Sequence, residues 1–174
     1  EPLSLNLAIT AYLLALAVFI PLGGWGADRF GAKRTFQIAI GVFILGSIVC
    51  GVAQSLGMLV ASRVLQGMGG ALMLPVSRTI LLRATPKGDL IRAMTWFSLP
   101  PVLGPILGPP IGGLIVTYLS WRWIFFLNLP ISILAIILAR AFLPEDEEGE
   151  TRASPFDVPG FALIGLGLFG FRSE

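Results

Sequence analysis

Few side chains in this sequence are suited to chemistry, and the most informative is an arginine inside an apolar run. Arg63 and Gln66 lie three residues apart in the apolar segment 58–82, so they would share one face of a helix. A cation at that depth in a membrane helix is costly and by default marks a functional site. Gly67 lets a neighbouring helix approach closely. The alternative is that Arg63 extends along its helix to the outer headgroups.

A second set of residues surrounds a short basic connector. It comprises, in chain order, Gly24, Asp28, Arg29, Gly31, Lys33 and Arg34. Asp28 falls at the end of a predicted helix, where the cations can pair with it or with the last helical carbonyls. The glycines allow a tight turn. A plain basic loop that sets membrane topology would explain the cations, but not the Gly–x3–Asp–Arg–x–Gly spacing.

A third set combines glycine and proline within one apolar run. Its members are Gly104, Gly108, Pro109, Gly112 and Gly113. Glycines four apart leave one helix face smooth, and prolines bend a helix, a combination that suits a packing hinge in a membrane bundle. Ordinary helix packing would also explain a single pair of glycines. The longer pattern Gly–x3–Gly–Pro–x2–Gly–Gly is more specific.

The composition of the 174 residues indicates a membrane protein. Hydrophobic residues make up 55% and charged residues 13%, against about 25% charged in a soluble domain, and the mean hydropathy is +0.86. Histidine is absent and Cys50 is the one cysteine, so neither a thiolate metal cluster nor a nucleophile–base pair is present. We therefore expect no enzyme, catalytic residue, metal site or cofactor. A net charge of +2 indicates no nucleic-acid partner.

The apolar runs predict an all-α integral membrane fold. Each of five runs is long enough for a transmembrane helix: Leu3–Ala27, Phe36–Ala53, Met58–Leu82, Ala93–Leu119 and Trp123–Leu143. A sixth run, Val158–Phe171, is short for a span. We therefore expect a bundle of five transmembrane helices and a truncated sixth.

The charges between the runs predict the orientation. Lysine and arginine concentrate in residues 28–34, 83–92 and 140–156, whereas residues 54–57 and 120–122 contain one arginine between them. The positive-inside rule places the basic connectors in the cytoplasm. The amino terminus is then expected outside, which implies a preceding helix. All ten acidic residues fall at the ends of the runs or between them.

Together these segments resemble the major facilitator superfamily. Gly24–Arg34 is similar to the family's loop motif between helices two and three, Leu59–Ala71 to its helix-four motif, and Gly104–Gly113 to its helix-five antiporter motif. The run Trp121–Pro130 resembles the drug:proton antiporter branch with fourteen spans. The resemblance covers almost the whole chain. It implies export of small amphipathic compounds, driven by a proton gradient in place of a cofactor.

The resemblance also implies a domain organisation. Residues 1–143 would be a partial N-terminal bundle holding family helices two to six, residues 144–157 an acidic cytoplasmic linker, and residues 158–174 a truncated additional helix. The expected partners are the lipid bilayer, a small-molecule substrate, and the first helix and C-terminal half of the same transporter. The expected location is the cell membrane, as a multi-pass protein of the bacterial inner membrane.

The resemblance assigns a role to each motif. Asp28 and Arg29 would hold a cytoplasmic gate, Arg63 would stabilise charge near the substrate site, and the glycine face of the fourth run would let two bundles slide. Two departures from the family pattern would weaken this gate. Gly26 stands where the family has a large aliphatic residue, and Ala32 stands where it has a basic one.

Other interpretations remain open at this point. The chain would transport nothing if it is a stand-alone truncated product, or would act as a small exporter if several copies assemble. Such small exporters generally carry a carboxylate in a span, and this sequence has none there. Tyr12, Trp96 and Phe97 would either line a substrate pocket or face lipid and neighbouring helices.

Overall fold

A computed structural model describes residues 2–143 and Gly160. Its helices are α1 (Pro2–Phe30), α2 (Ala32–Gly51), α3 (Leu56–Ala84), α4 (Leu90–Tyr118), α5 (Trp123–Phe126) and α6 (Asn128–Phe142). Five stretches are long and apolar enough to cross a membrane, with α5 and α6 forming the fifth. The predicted all-α membrane fold with five spans is confirmed. The acidic linker and the sixth apolar run lie outside the described residues, apart from Gly160.

The first connector is shorter than the sequence suggests. Helix α1 continues through Asp28 to Phe30, and α2 begins at Ala32, so Gly31 alone joins them. Gly31 has φ 90° and is the one residue with positive φ in the described part of the chain. Glycine reaches this conformation without the clash a Cβ would cause. The expectation of a loop over residues 28–34 is wrong in its extent, because these charged residues continue both helices.

Helix α3 is the centre of the bundle, and α1 and α2 both pack along it. Glycines make these crossings close. A Cβ added to Gly46 of α2 would lie 2.6 Å from the backbone of Gln66, and one added to Gly67 of α3 would lie 2.7 Å from the Cβ of Ala15. Gly69 of α3 meets the backbone of α2 at a similar distance. Helices α1 to α3 therefore form one tightly interlocked unit, and α5 and α6 pack on the α2 side of it.

Helix α4 lies apart from this unit. Its packing within the described residues is against α5, and none of its 29 residues is buried. It continues as a helix through five prolines, which are Pro100, Pro101, Pro105, Pro109 and Pro110. Most of its apolar surface is thus available to lipid or to protein beyond the described residues.

Two contacts distinguish the ends of the bundle. At one end, Arg83 of α3 reaches Asp28 of α1 at 3.9 Å. We call this the basic end. It contains the C-terminal ends of α1 and α3 and the N-terminal ends of α2 and α4. At the opposite end, Arg122 Nη2 donates to the carbonyl oxygen of Ala53 at 3.0 Å. The lysine- and arginine-rich connectors are therefore gathered at the basic end.

Candidate functional site

The structure brings the guanidinium of Arg63 into a cluster of side chains from three helices. Arg63 lies about two turns after the start of α3, and its Nη1 donates to Oε1 of Gln66 at 3.0 Å. Its Cζ lies 4.7 Å from the ring centre of Phe125 on α5 and 5.6 Å from that of Tyr12 on α1. Both distances are within the range of cation–π attraction. Arg63 therefore points between the helices, toward α1 and α5.

Gln66 connects this cation to a buried polar network on α2. Its side chain is 2% exposed, and its Nε2 donates to Oγ of Ser47 at 2.7 Å. One turn along α2, the thiol of Cys50 donates to Oγ of Ser62 at 3.1 Å. The Gln66 amide thus accepts a hydrogen bond from Arg63 and donates one to Ser47, so its oxygen and its nitrogen are both bonded. These bonds hold the Gln66 amide in place and, through it, Nη1 of Arg63.

The neighbours of Arg63 carry no charge that balances its own. Within the described part of the chain its partners are an amide and two aromatic rings, and its buried Nε has no hydrogen-bond partner. An arginine inside a membrane helix costs about 2.5–3.5 kcal/mol on insertion scales. Two cation–π contacts can offset much of this cost, but neutral partners do not cancel the charge. The cluster therefore retains a positive potential and a free donor. It can attract an anion and favour the ionised form of a carboxylate beside it.

At the basic end, two members of the second set of predicted residues make separate contacts with other helices. Asp28 and Arg83 approach at 3.9 Å with exposed side chains, a pair worth about 0–1 kcal/mol. Lys33 Nζ donates to the carbonyl oxygen of Leu143 at 2.9 Å, at the end of α6. A cation at a helix C-terminus also interacts favourably with the helix dipole. The basic end thus joins α1 to α3 and α2 to α6.

The remaining members of this set do not converge on one point. Gly24 lies within α1, where nothing stands within 4 Å of an added Cβ, and it takes no part in the turn. The guanidinium of Arg29 lies 5.7 Å from the ring centre of Trp25 and 5.9 Å from that of Phe30. Arg34 is exposed in the first turn of α2. The set is therefore a surface of cations around Gly31, with Asp28 at its edge.

Both departures from the family pattern have a packing reason. Thr35 Oγ1 donates to the carbonyl oxygen of Gly26 at 2.8 Å, and a Cβ on Gly26 would lie 3.1 Å from Cγ2 of Thr35. Ala32 is buried with Ala27 and Val76 in a small apolar core. A large residue at the first position or a charged one at the second would separate α1 from α2. The small residues Gly26 and Ala32 thus allow α1 and α2 to pack closely at this point.

The third set faces no neighbour among the described residues. Nothing stands within 4 Å of a Cβ added to Gly104, Gly108, Gly112 or Gly113. Pro109 is exposed beside them. The smooth face is real, since no side chain covers it, but the helix that would use it is not among α1–α3, α5 and α6. Its role as a packing hinge stays a prediction.

An apolar groove runs between α1 and α3. Its volume is about 470 Å³, and Thr10 supplies its one hydroxyl. Its lining consists of Leu7, Thr10, Ala11, Leu14, Ala15, Val18, Phe19, Val60 and Val64. Of the three predicted pocket aromatics, only Tyr12 lies near the Arg63 cluster, while Trp96 and Phe97 are on α4. Val60 and Val64, close to Arg63 on α3, line this groove, and a second apolar groove of about 650 Å³ lies along α4.

Comparison with known proteins agrees with this arrangement. The sequence profile of the Major Facilitator Superfamily matches residues 1–173. The chain belongs to the Major Facilitator Superfamily. The resemblance drawn from the motifs is therefore confirmed, and the chain is a multi-pass membrane protein of a transporter family.

Relatives within the family include proteins named MdtD and described as candidate multidrug resistance proteins. Those of Salmonella paratyphi B (strain ATCC BAA-1250 / SPB7), Salmonella typhi and Salmonella dublin are each 41% identical to this chain over 168 residues. The match covers 97% of this chain and 35% of each relative. The chain thus spans about a third of the length of these relatives.

Sequence reasoning missed most partners of Arg63. Ser47 and Cys50 are three residues apart on α2, and Ser62 and Gln66 are four apart on α3, so each pair marks a polar stripe at helical spacing. Two such stripes on apolar helices predict that the helices meet there. Phe125 carries no comparable signal, because its contact with Arg63 crosses to a helix far along the chain.

Proposed function

We propose that this chain works as part of a longer proton-coupled efflux antiporter for small amphipathic compounds, in the cell membrane. The basic end would face the cytoplasm, following the positive-inside rule. The transporter family supports the general activity. The description of the MdtD relatives as candidate multidrug resistance proteins supports the substrate class.

The proposed coupling to protons rests on the environment of Arg63. Its charge is held by neutral groups, and its Nε donor is unused among the described residues. A carboxylate brought beside it from elsewhere in the transporter would be stabilised in its ionised form. Protonation of that carboxylate would release it from Arg63. The cation would thus link the arrival of a proton to a movement of helices.

The interlocked helices suit a rocking mechanism of alternating access. Because Gly46, Gly67 and Gly69 bring α1–α3 into backbone contact, these helices would move as one body around a fixed site near the membrane midplane. At the basic end, the contact of Asp28 would join α1 to α3 and that of Lys33 would join α2 to α6 during this movement. Helix α4, with its open glycine face, would pack against parts of the transporter beyond the described residues.

Export of a cationic dye from membrane vesicles tests this proposal. The transporter containing this chain is expected to move the dye only while a proton gradient is present. Arg63→Gln is expected to abolish that movement while leaving membrane insertion unchanged. Arg78→Gln is the matched control, because Arg78 lies exposed on the same helix, and it should retain transport.

Two outcomes would contradict the proposal. Dye export that continues after the gradient is collapsed would remove the proton from the mechanism. Unchanged export by Arg63→Gln would remove Arg63 from it. The 174-residue chain reconstituted by itself is a further comparison. Gradient-dependent export by that chain alone would show that no additional segment is needed.

A further inference from the structure

The short helix α5 is fastened to the end of α2, at the end of the bundle opposite the basic end. Arg122, just before α5, donates to the carbonyl oxygen of Ala53 at 3.0 Å. The same guanidinium lies 4.8 Å from the ring centre of Trp121. Trp121 in turn meets Phe125 edge to face, with ring centres 5.9 Å apart. These contacts fix the position of α5 against α2.

Two phenylalanines on α5 close over the polar network. Phe125 is 5% exposed, although its neighbours on α5 are largely open, and its ring centre lies 4.7 Å from Arg63 Cζ. The ring of Phe126 rests on Gly51, where an added Cβ would be 2.6 Å from Cζ of the ring. Cys50, next to Gly51, is fully buried. Phe125 therefore covers the cation from this end, and Phe126 packs on the residue next to the thiol.

We infer that Phe125, supported by Phe126, is a seal that keeps water away from the Arg63 cluster at the end opposite the basic end. Water reaching the cluster would solvate the guanidinium and compete for the hydrogen bonds that Gln66 makes. A dry guanidinium interacts more strongly with an approaching anion than a hydrated one. Phe125 is thus a positioning residue that acts through Arg63.

The role of this seal in transport rests on the proposed function. Its test does not, because it measures only how fast the thiol of Cys50 reacts. Cys50 is the single cysteine of the chain, and its thiol donates to Ser62 within the sealed cluster. Reaction of Cys50 with a membrane-impermeant, anionic methanethiosulfonate therefore reports access to the cluster. The chain is reconstituted in vesicles, and the reagent is added to one side at a time.

In the unsubstituted chain we expect slow modification from either side. Phe125→Ala is expected to raise the rate about tenfold, equivalent to about 1.4 kcal/mol, and only from the side on which α5 lies. Phe125→Leu, which keeps an apolar side chain of similar reach, should restore most of the protection. Phe142→Ala is the matched control, because Phe142 is a phenylalanine 78% exposed at the other end of the same span.

A second cysteine position distinguishes local entry of water at α5 from a general loosening of the helix bundle. Thr35 is buried near the basic end, and Thr35→Cys in a Cys50→Ser background should keep its reactivity when Phe125→Ala is added. Equal increases at both positions, or from both sides, would overturn the seal, and so would no increase at Cys50. A chain with the expected thiol pattern whose parent transporter exports nothing would refute the proposed function and leave the seal standing.

Discussion

The close crossing of α2 and α3 at Gly46 predicts how the stability of the chain changes when one methyl group is added. Gly46 and Gly41 lie five residues apart on α2, but their surroundings differ. A Cβ on Gly46 would lie 2.6 Å from both the nitrogen and the Cα of Gln66, whereas nothing stands within 4 Å of a Cβ on Gly41. Gly46→Ala must therefore push α3 away from α2, because the atoms it meets are backbone. Gly41→Ala needs no such movement.

The two substitutions should change stability in opposite directions. Replacing glycine by alanine inside a helix gains about 0.5–1 kcal/mol, and this is the whole effect expected for Gly41→Ala. Overpacking a close contact costs about 1–3 kcal/mol, so Gly46→Ala should lose about 1–2 kcal/mol net. The difference between the variants is then about 2 kcal/mol, or roughly 30-fold in the ratio of folded to unfolded chain.

Titration of the chain from mild detergent into a denaturing one, followed by tryptophan emission, measures this difference. Gly46→Ala should unfold at a lower denaturant fraction than the unsubstituted chain, and Gly41→Ala at the same or a higher one. A second measurement comes from Cys50, since displacing Gln66 disturbs the network that buries the thiol, and its reactivity should rise. Equal midpoints for the two variants would refute the close α2–α3 crossing.

Three further substitutions test other parts of the structure. Gly108→Leu should not lower the stability of this chain, because nothing lies within 4 Å of a Cβ added to Gly108, but should stop export by the transporter that contains it; full export would refute a contact on that face. Gly31→Ala should cost about 1–3 kcal/mol in the same titration, because alanine is strained at φ 90°; an unchanged midpoint would contradict that backbone. Lys33→Met should speed hydrogen exchange in the last turn of α6, where Lys33 bonds to Leu143, whereas Lys87→Met, at an exposed connector position, should not; equal rates would remove the contact.

The number and type of the helices followed from the sequence, because a run of about 20 apolar residues reports the thickness of the membrane. The ends of the helices did not follow. Hydropathy stops at Ala27, yet α1 continues to Phe30, because a charged residue that leaves the hydrocarbon can still be helical. Hydropathy also does not separate α5 from α6, which form one span because Leu127 between them keeps helical φ and ψ. The missing N–H of Pro130 removes one helical hydrogen bond at this junction.

The candidate site followed from the sequence in part. The contact between Arg63 and Gln66 is local, since residues three apart on a helix are neighbours. The contacts of Arg63 with Tyr12 and Phe125 are set by how helices distant in the chain are arranged, and no spacing within α3 encodes them. The glycine pattern around Gly108 predicted a packing face but not its partner.

The arrangement of the first three helices has a consequence for biogenesis. Helix α1 packs mainly against α3 and much less against α2, so its partner is synthesised last of the three. Helices α2 and α3 together require 20 and 29 residues of synthesis, which takes several seconds at roughly 5–20 residues per second. During that interval the surface of α1 around Gly23 and Ala15 lacks its α3 partner. Pro75 and Gly67, which pack against it, are added only at the end of this stretch of synthesis.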